Sequence, residues 1–500
     1  MKGVDLTAEI TVGDRILSEE QNAIIRQPPT ETIVVDAAAG SGKTTTLVDY
    51  ANHWREHRGL YLAFNKDIAD HAKSRFPPWV RAQTLHSFAY RSLGIARYKD
   101  RLVGRIRRQT IRQAGIDIHS EYLTPDRMMR CILQALTNFC IDGGRELTVV
   151  HCGLEKSPVT TQVNVLPKIA AVVKRFIKYE TSGLPFTHDI YLKNLEMYGS
   201  IGNVADYIMI DEAQDSNGVT LSLAKNSGCP IIYIGDPKQS IYGFRGAVNA
   251  MTLVEGRRFP LSMSWRFGQT VADLCNHILS HSDKPPSHLI RGRPDRVTRV
   301  EAYAGKAPAR SFILSRTNAR LFEGLISLPP ETTFHVAGGF DVLAGQLMSA
   351  WALSKNDQYS VTDPYIRGFA VWEDMLEEAA EDDPDAKKLV KMVKDHGDQI
   401  PVIIDRLRAY HRPHHQDAQI LLSTAHKAKG LENDCVIVLD DFPTIKELKA
   451  RLLDGKIAEI DYEQELNLAY VACSRARYRL LIAPSFYEEV AHIVDRGPSP

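Results

Sequence analysis

The segment TIVVDAAAGSGKTTTLVDY, residues 32–50, constrains this chain more than any other, because a buried apolar strand, a loop of small residues and a helix follow one another directly. A loop of that composition at a helix N-terminus is a phosphate cradle. Backbone N–H groups from Ala39, Gly40, Ser41, Gly42 and Lys43 can wrap the anion, the Lys43 ammonium adds charge, and Thr44 offers a hydroxyl to Mg²⁺, with Thr45 beside it. Ala37 stands where such loops usually have their first glycine, so the strand-loop-helix context carries the prediction of ATP or GTP binding, against a glycine turn that merely caps a helix.

About 170 residues later, DYIMIDEAQD ends an apolar strand in two adjacent carboxylates. Strand alternation predicts that Asp211 and Glu212 point in different directions, so that Asp211 can organise Mg²⁺ while Glu212 orients or deprotonates water. Taken with the phosphate loop, the pair predicts a nucleotide hydrolase.

Five hundred residues exceed one hydrophobic core, and two or more domains are expected. Apolar runs followed by turns and helical patterns recur at 32–36, 60–64, 207–210, 231–234, 312–314 and 435–439, which predicts α/β layers with parallel sheets. Between His86 and Tyr207 the pattern turns helical, as in MMRCILQALTNFCI and VLPKIAAVVKRFIKYE, and reads as a helical insertion. A second strand-poor segment, 345–415, contains the acidic run EDMLEEAAEDDPD, read as a solvated helix and loop.

The 61 basic and 61 acidic residues cancel, so any nucleic-acid site must come from local placement of charge. The N-terminal stretch lacks a signal-peptide core and no run is long enough to span a membrane, so a cytosolic location is expected, nucleoid-associated in a bacterium or in the host cytoplasm for a phage protein. Seven scattered cysteines fit a reducing compartment, and Cys131, Cys140 and Cys152 with His151 lack metal-knuckle spacing and read as buried thiols.

Further motifs in fixed order give the chain its resemblance to the UvrD/Rep/PcrA helicases of superfamily 1, and within them to the F-box DNA helicase branch and its bacterial or phage relatives. LSEEQNAII at 17–25 resembles the adenine-reading Q motif, which implies that Gln21 pairs with the base edge. LAFNKDIA at 62–69 and TLHSFAYR at 84–91 are similar to early DNA-contacting motifs, implying DNA contacts from Phe64, Asn65, Lys66, Thr84 and His86. FNK is one residue shorter than the family's FTNK, which leaves open whether Asn65 or Lys66 faces DNA. YIGDPKQSIYGFRGA at 233–247 implies that Gln239 senses the γ-phosphate while Tyr242, Phe244 and Arg245 face the strand. LSMSWRF at 261–267 implies a γ-phosphate arginine in Arg266 and an adenine-stacking Trp265. ILSRTNARLFE at 313–323 implies a DNA phosphate contact at Asn318. STAHKAKGLENDCVIVL at 423–439 implies DNA contacts from Thr424 and His426 and a ribose contact from Glu432. EQELNLAYVACSRARYRL at 463–480 implies a second arginine finger in Arg475.

The resemblance implies two RecA-like motor domains. Domain 1A would comprise 1–90 and 201–260, the helical insertion 1B 91–200, domain 2A 261–344 and 416–500, and a reduced 2B element 345–415. It implies ATP and Mg²⁺ as cofactors, single-stranded and 3′-tailed duplex DNA as substrates, and ATP-driven 3′ to 5′ movement in repair, recombination or replication. The rival reading is a DNA-stimulated ATPase subunit of a larger complex, a recombinase-stripping translocase or a phage-defence sensor with a protein partner. The basic stretch at 97–112, with Arg105, Arg107 and Arg108, either contacts duplex at a fork or is a solvated helix face.

Overall fold

The computed structural model describes residues 11–12, 15–202, 204–241, 249–380 and 384–495. Two compact units result, Met1–Ser262 and Met263–Pro500.

Unit 1 begins with a short antiparallel pair, β1 (Thr11–Val12) and β2 (Arg15–Ile16). Its main sheet contains β3 (Ile33–Ala37), β4 (Gly59–Ala63), β5 (Val80–Thr84), β6 (Tyr207–Ile210), β7 (Ile231–Gly235) and β8 (Arg257–Leu261). The order is β5-β4-β6-β7-β3-β8 and every pairing is parallel. All residues of β3, β4, β6 and β7 are buried, as strands covered by helices on both faces require. Parallel strands send all their outgoing loops to one end of the sheet. The loops after β3, β4, β5, β6 and β7 therefore collect there, and they carry nearly every site residue expected of this unit.

Between β5 and β6 the chain forms helices, among them Leu85–Ser92, Pro125–Ile141, Val159–Ile177 and His188–Tyr198, which share one apolar core with Leu60, Leu62 and Ile208 of the sheet. Cys131, Cys140 and Cys152 are buried in that core. The insertion is tied to the sheet layer at two points. The buried Lys193 ammonium donates to the Asp142 carbonyl at 2.9 Å and pairs with Glu196 at 3.1 Å, and Glu196 accepts from the Ser222 hydroxyl at 2.7 Å. Backbones also meet, since a Cβ added to Gly218 would lie 2.5 Å from the Gly143 nitrogen. Gly218→Ala is accordingly expected to push the helix Gly218–Lys225 away from the turn at 142–144, costing about 1–3 kcal/mol by urea denaturation. A cost under about 0.5 kcal/mol would show that the two backbones give way freely.

Unit 2 holds β9 (Arg299–Ala302), β10 (Ser311–Ser315), β11 (Phe334–Val336), β12 (Ile420–Thr424), β13 (Asn433–Val438) and β14 (Ala476–Ile482). The order is β11-β12-β10-β13-β14-β9, again all parallel. The fold is thus α/β with two parallel six-stranded sheets, as two RecA-like domains require. Residues 345–415 are helical in the main, with helices Trp372–Ala380, Pro384–His396 and Ile400–Tyr410. Met375, Leu389, Ile404 and Leu407 from this segment share a core with Phe334 and Leu422 of the sheet. The acidic run is helical up to Ala380, and residues 381–383 lie outside the described set. Among the described residues no helix is long and apolar enough to cross a membrane.

Candidate nucleotide and DNA sites

In unit 1, β3 leads through Gly40 (φ 73°) and Gly42 (φ 83°) into the helix Lys43–His53. Both glycines adopt left-handed backbone that a β-carbon would strain. Gly42 offers no side-chain cap, so the first amides of the helix keep the donors that an anion needs. The buried Ser41 hydroxyl of the same loop also lacks a hydrogen-bond partner, as a group that awaits a phosphate oxygen would.

The two carboxylates after β6 close this site. The Thr44 hydroxyl donates to Asp211 Oδ2 at 3.0 Å, and Lys43 Nζ stands 3.3 Å from Glu212 Oε1. Asp211 and Glu212 do diverge, but strand alternation is not the reason. β6 ends at Ile210, and Glu212 takes a left-handed conformation (φ 52°) that turns its side chain toward Lys43. Such a conformation in a non-glycine residue carries strain and is concentrated at functional sites. Burial, and then the adjacent Glu212 charge, push the Asp211 carboxyl above its ordinary value, against Lys43 and the hydroxyls of Tyr61 and Thr44. Thr44 and Asp211 supply hard oxygen donors at bonding distance from each other, a set that fits Mg²⁺.

A polar chain continues from here. Gln214, buried, donates from Nε2 to Glu212 Oε2 at 2.6 Å and accepts the Asp236 N–H at 3.1 Å, while Gln239 Nε2 donates to Asp236 Oδ2 at 2.7 Å. Gln239 is marked by its motif; Gln214 and Asp236 lie inside DYIMIDEAQD and YIGDPKQSIYGFRGA without a mark of their own, and only the geometry shows them as the links. Gln21 sits in a capping box with Ser18, and its Nε2 donates to the Thr46 hydroxyl at 3.1 Å. That amide is therefore anchored to the helix that follows the phosphate loop.

A cleft of about 730 Å³ runs along the edge strand β5, lined by Lys66, Lys73, Arg81, His86, Tyr90 and Tyr191 among others. Phe64, 40% exposed, follows β4 directly. Asn65 uses its side chain to cap the helix Lys66–Arg75 by accepting the Ile68 N–H at 2.9 Å, which leaves Lys66 as the residue that lines the cleft. Thr84 lines it too, while capping the helix Leu85–Ser92, and His86 faces Asp189 at 3.2 Å. Lys73 and Arg81 also line it, and as isolated basic residues on a helix and a strand they have no motif to mark them. Cations interleaved with aromatic rings suit the backbone and bases of a single strand. Tyr242, Phe244 and Arg245 lie outside the described residues.

Unit 2 divides its site residues between the two ends of its sheet. Asn318 opens the helix after β10, and Thr424 and His426 follow at the end of β12, where Ser315 pairs with Thr424. Glu432 and Arg475 lie at the opposite end, immediately before β13 and β14. There Arg266 Nε donates to Glu432 Oε2 at 2.6 Å and its NH1 group to the Ser474 carbonyl at 2.9 Å, with Arg477 3.7 Å from Glu432. Burial acts against the Glu432 charge, yet Arg266, Arg477 and Arg475 hold its carboxyl below its ordinary value. Trp265, beside this cluster in sequence, exposes 39% of its surface, as a stacking platform must. Arg475 is 2% exposed, its guanidinium donating to the Val471 carbonyl at 2.8 Å and the Ser474 hydroxyl at 3.3 Å.

Two parallel sheets of this topology, one of them ending in a phosphate cradle, make the chain a P-loop protein with two RecA-like domains. Residues 171–260 match the model of the UvrD/REP helicase N-terminal domain, and residues 373–486 match the UvrD-like helicase C-terminal domain. F-box DNA helicase 1 of Gallus gallus is 27% identical over 520 aligned residues, which cover 94% of this chain and 49% of that protein. F-box DNA helicase protein 1 of Schizosaccharomyces pombe is 29% identical, covering 93% of this chain and 57% of that protein. ATP-dependent DNA helicase PcrA of Staphylococcus epidermidis is 23% identical across 61% of this chain and 48% of that protein. The chain thus carries matches to the N- and C-terminal domains of UvrD-like helicases, one in each unit, and the relatives it resembles are DNA helicases. It spans about half the length of these curated relatives.

Proposed function

We propose that the chain is an ATP-driven motor that moves 3′ to 5′ along single-stranded DNA and opens 3′-tailed duplexes in DNA repair, recombination or replication. The observation that carries this reading is the contact set Lys43–Glu212 and Thr44–Asp211 at an uncapped helix N-terminus. In it Lys43 and the loop amides bind the phosphates, Thr44 and Asp211 hold Mg²⁺, Glu212 orients the attacking water, and Gln239 couples the site to the loop after β7. Mg²⁺ supplies charge neutralisation on the phosphate oxygens. Arg266 and Arg475 stabilise the transferred phosphoryl, and Trp265, Gln21 and Glu432 serve the adenosine. Phe64, Lys66, Thr84, His86, Asn318, Thr424 and His426 serve the strand, together with Tyr242, Phe244 and Arg245. Residues 91–200 correspond to 1B and 345–415 to a reduced 2B.

Because the segment 345–415 is packed into the core of unit 2, it offers little to clamp a duplex. Each base-pair step costs about 1.4 kcal/mol to unstack. Translocation should therefore exceed strand separation, and this packing is what favours the second reading, a DNA-stimulated ATPase that works within a larger assembly. ATPase activity is expected to rise strongly with single-stranded DNA and less with RNA. In single-turnover reactions with matched tails, 3′-tailed duplexes should open over short lengths. Preference for the 5′ tail would overturn the polarity, and long processive unwinding by the monomer would overturn the reduced-2B reading.

A further inference from the structure

The catalytic carboxylate has a second hydroxyl partner that no motif marks. Tyr61, fully buried in the middle of β4, donates to Asp211 Oδ2 at 2.6 Å, the same oxygen that accepts from Thr44 at 3.0 Å. Asp211 Oδ1 accepts the Glu212 N–H at 2.9 Å. The 2.6 Å separation between the Tyr61 hydroxyl and Oδ2 is typical of a hydroxyl donating to an ionised carboxylate. Packing does not force the bond. Tyr50 and Tyr207, buried in the same apolar core, keep their hydroxyls without any partner, so this core tolerates an unsatisfied phenol. The Tyr61 ring is held independently of its hydroxyl, with Phe76 4.7 Å away between ring centroids.

We infer that Tyr61 is a positioning residue for nucleotide hydrolysis, whose hydroxyl fixes the orientation of Asp211 toward the metal. Thr44 would meet Mg²⁺ through an oxygen lone pair and keep its proton for Oδ2, and Tyr61 is the second side-chain donor that holds the same carboxylate oxygen from a rigid strand. Tyr61 sits on a strand whose register with β6 is set by main-chain pairing, Tyr61 with Met209 and Leu62 with Ile210. That pairing places the donor on the strand beside the one that Asp211 directly follows, the rigid support that a metal ligand needs.

This inference rests on the proposed ATPase reading, and the experiment separates the two. Tyr61→Phe keeps the ring and removes only the hydroxyl; Tyr207→Phe removes a partnerless hydroxyl from the adjacent strand as a control. Binding of a fluorescent ATP analogue to the full chain is titrated with EDTA present and with Mg²⁺ present, alongside the Mg²⁺ concentration that half-saturates turnover. In Tyr61→Phe the affinity without metal should stay within about twofold of the parent chain, while the gain on adding Mg²⁺ falls about tenfold and half-saturation rises about tenfold, as loss of an outer partner of a metal ligand predicts. Tyr207→Phe should match the parent in both. An unchanged Mg²⁺ gain in Tyr61→Phe would overturn the inference. So would a Tyr61→Phe chain that does not fold, since the hydroxyl would then be structural. A parent chain that neither binds nor turns over ATP would instead remove the ATPase reading itself.

Discussion

Lys43→Ala is expected to abolish measurable ATP turnover, a loss on the order of 10³-fold or more, because it removes the one full positive charge that unit 1 presents from the phosphate loop. The structure makes this a clean substitution. Lys43 is the first residue of its helix, and its ion pair with Glu212 is at the site mouth, where Glu212 keeps the Gln214 amide after the lysine is gone. Circular dichroism and the unfolding midpoint should stay close to those of the parent chain while DNA-stimulated phosphate release disappears. Glu212→Gln tests the other half of the contact. An amide still bonds to Gln214 but cannot take a proton from water, so nucleotide affinity should persist without turnover. Near-parental turnover in Lys43→Ala would remove the ATPase assignment, and lost nucleotide affinity in Glu212→Gln would give Glu212 a structural role.

The phosphate loop and the carboxylate pair were legible because their chemistry is local. Strand, small-residue loop and helix follow one another within residues 32–50, and each signals itself in a short window. The strands that were not read are largely those at sheet margins. β5 and β8 form the edges of the first sheet and β9 and β11 those of the second. Edge strands such as RRFPL and RVEA carry charge or proline, which removes the apolar run a strand is recognised by. β12 and β14 are interior, but ILLST merges into a motif read for its DNA residues and ARYRLLI opens on two arginines. In the site, what could not be read was everything that depends on strand register. Nothing in LYLAF says that Tyr61 meets the carboxylate that follows another strand, and nothing in EEQNAII says that Gln21 anchors to Thr46. The left-handed turn at Glu212 was equally hidden, because glutamate gives no sign of positive φ.

The two arginines of unit 2 should separate in their effects, although the family resemblance gives them parallel roles. Arg266 projects from the segment after Ser262 and is held by Glu432 and the Ser474 carbonyl at the end of the sheet. Arg266→Ala leaves Glu432 still within reach of Arg477, so folding should change little while hydrolysis slows by about 10³-fold or more, as when an arginine finger is withdrawn. Arg475 stands deeper. Its guanidinium is enclosed and donates to the Val471 carbonyl and the Ser474 hydroxyl, with the Leu431 carbonyl 3.5 Å from NH1. Arg475→Ala leaves buried acceptors without their charged donor and a void in their midst, a loss of about 2–4 kcal/mol. Its unfolding midpoint should therefore fall by several degrees, where that of Arg266→Ala moves by about one. Both variants should lose turnover, and measuring the two quantities together decides between roles. If Arg475→Ala unfolds like the parent chain yet loses its turnover, the guanidinium is a finger that leaves its carbonyls to meet the phosphoryl group; if its midpoint drops and a folded fraction at low temperature hydrolyses ATP normally, Arg475 is a strut that shapes the helix end behind Arg266.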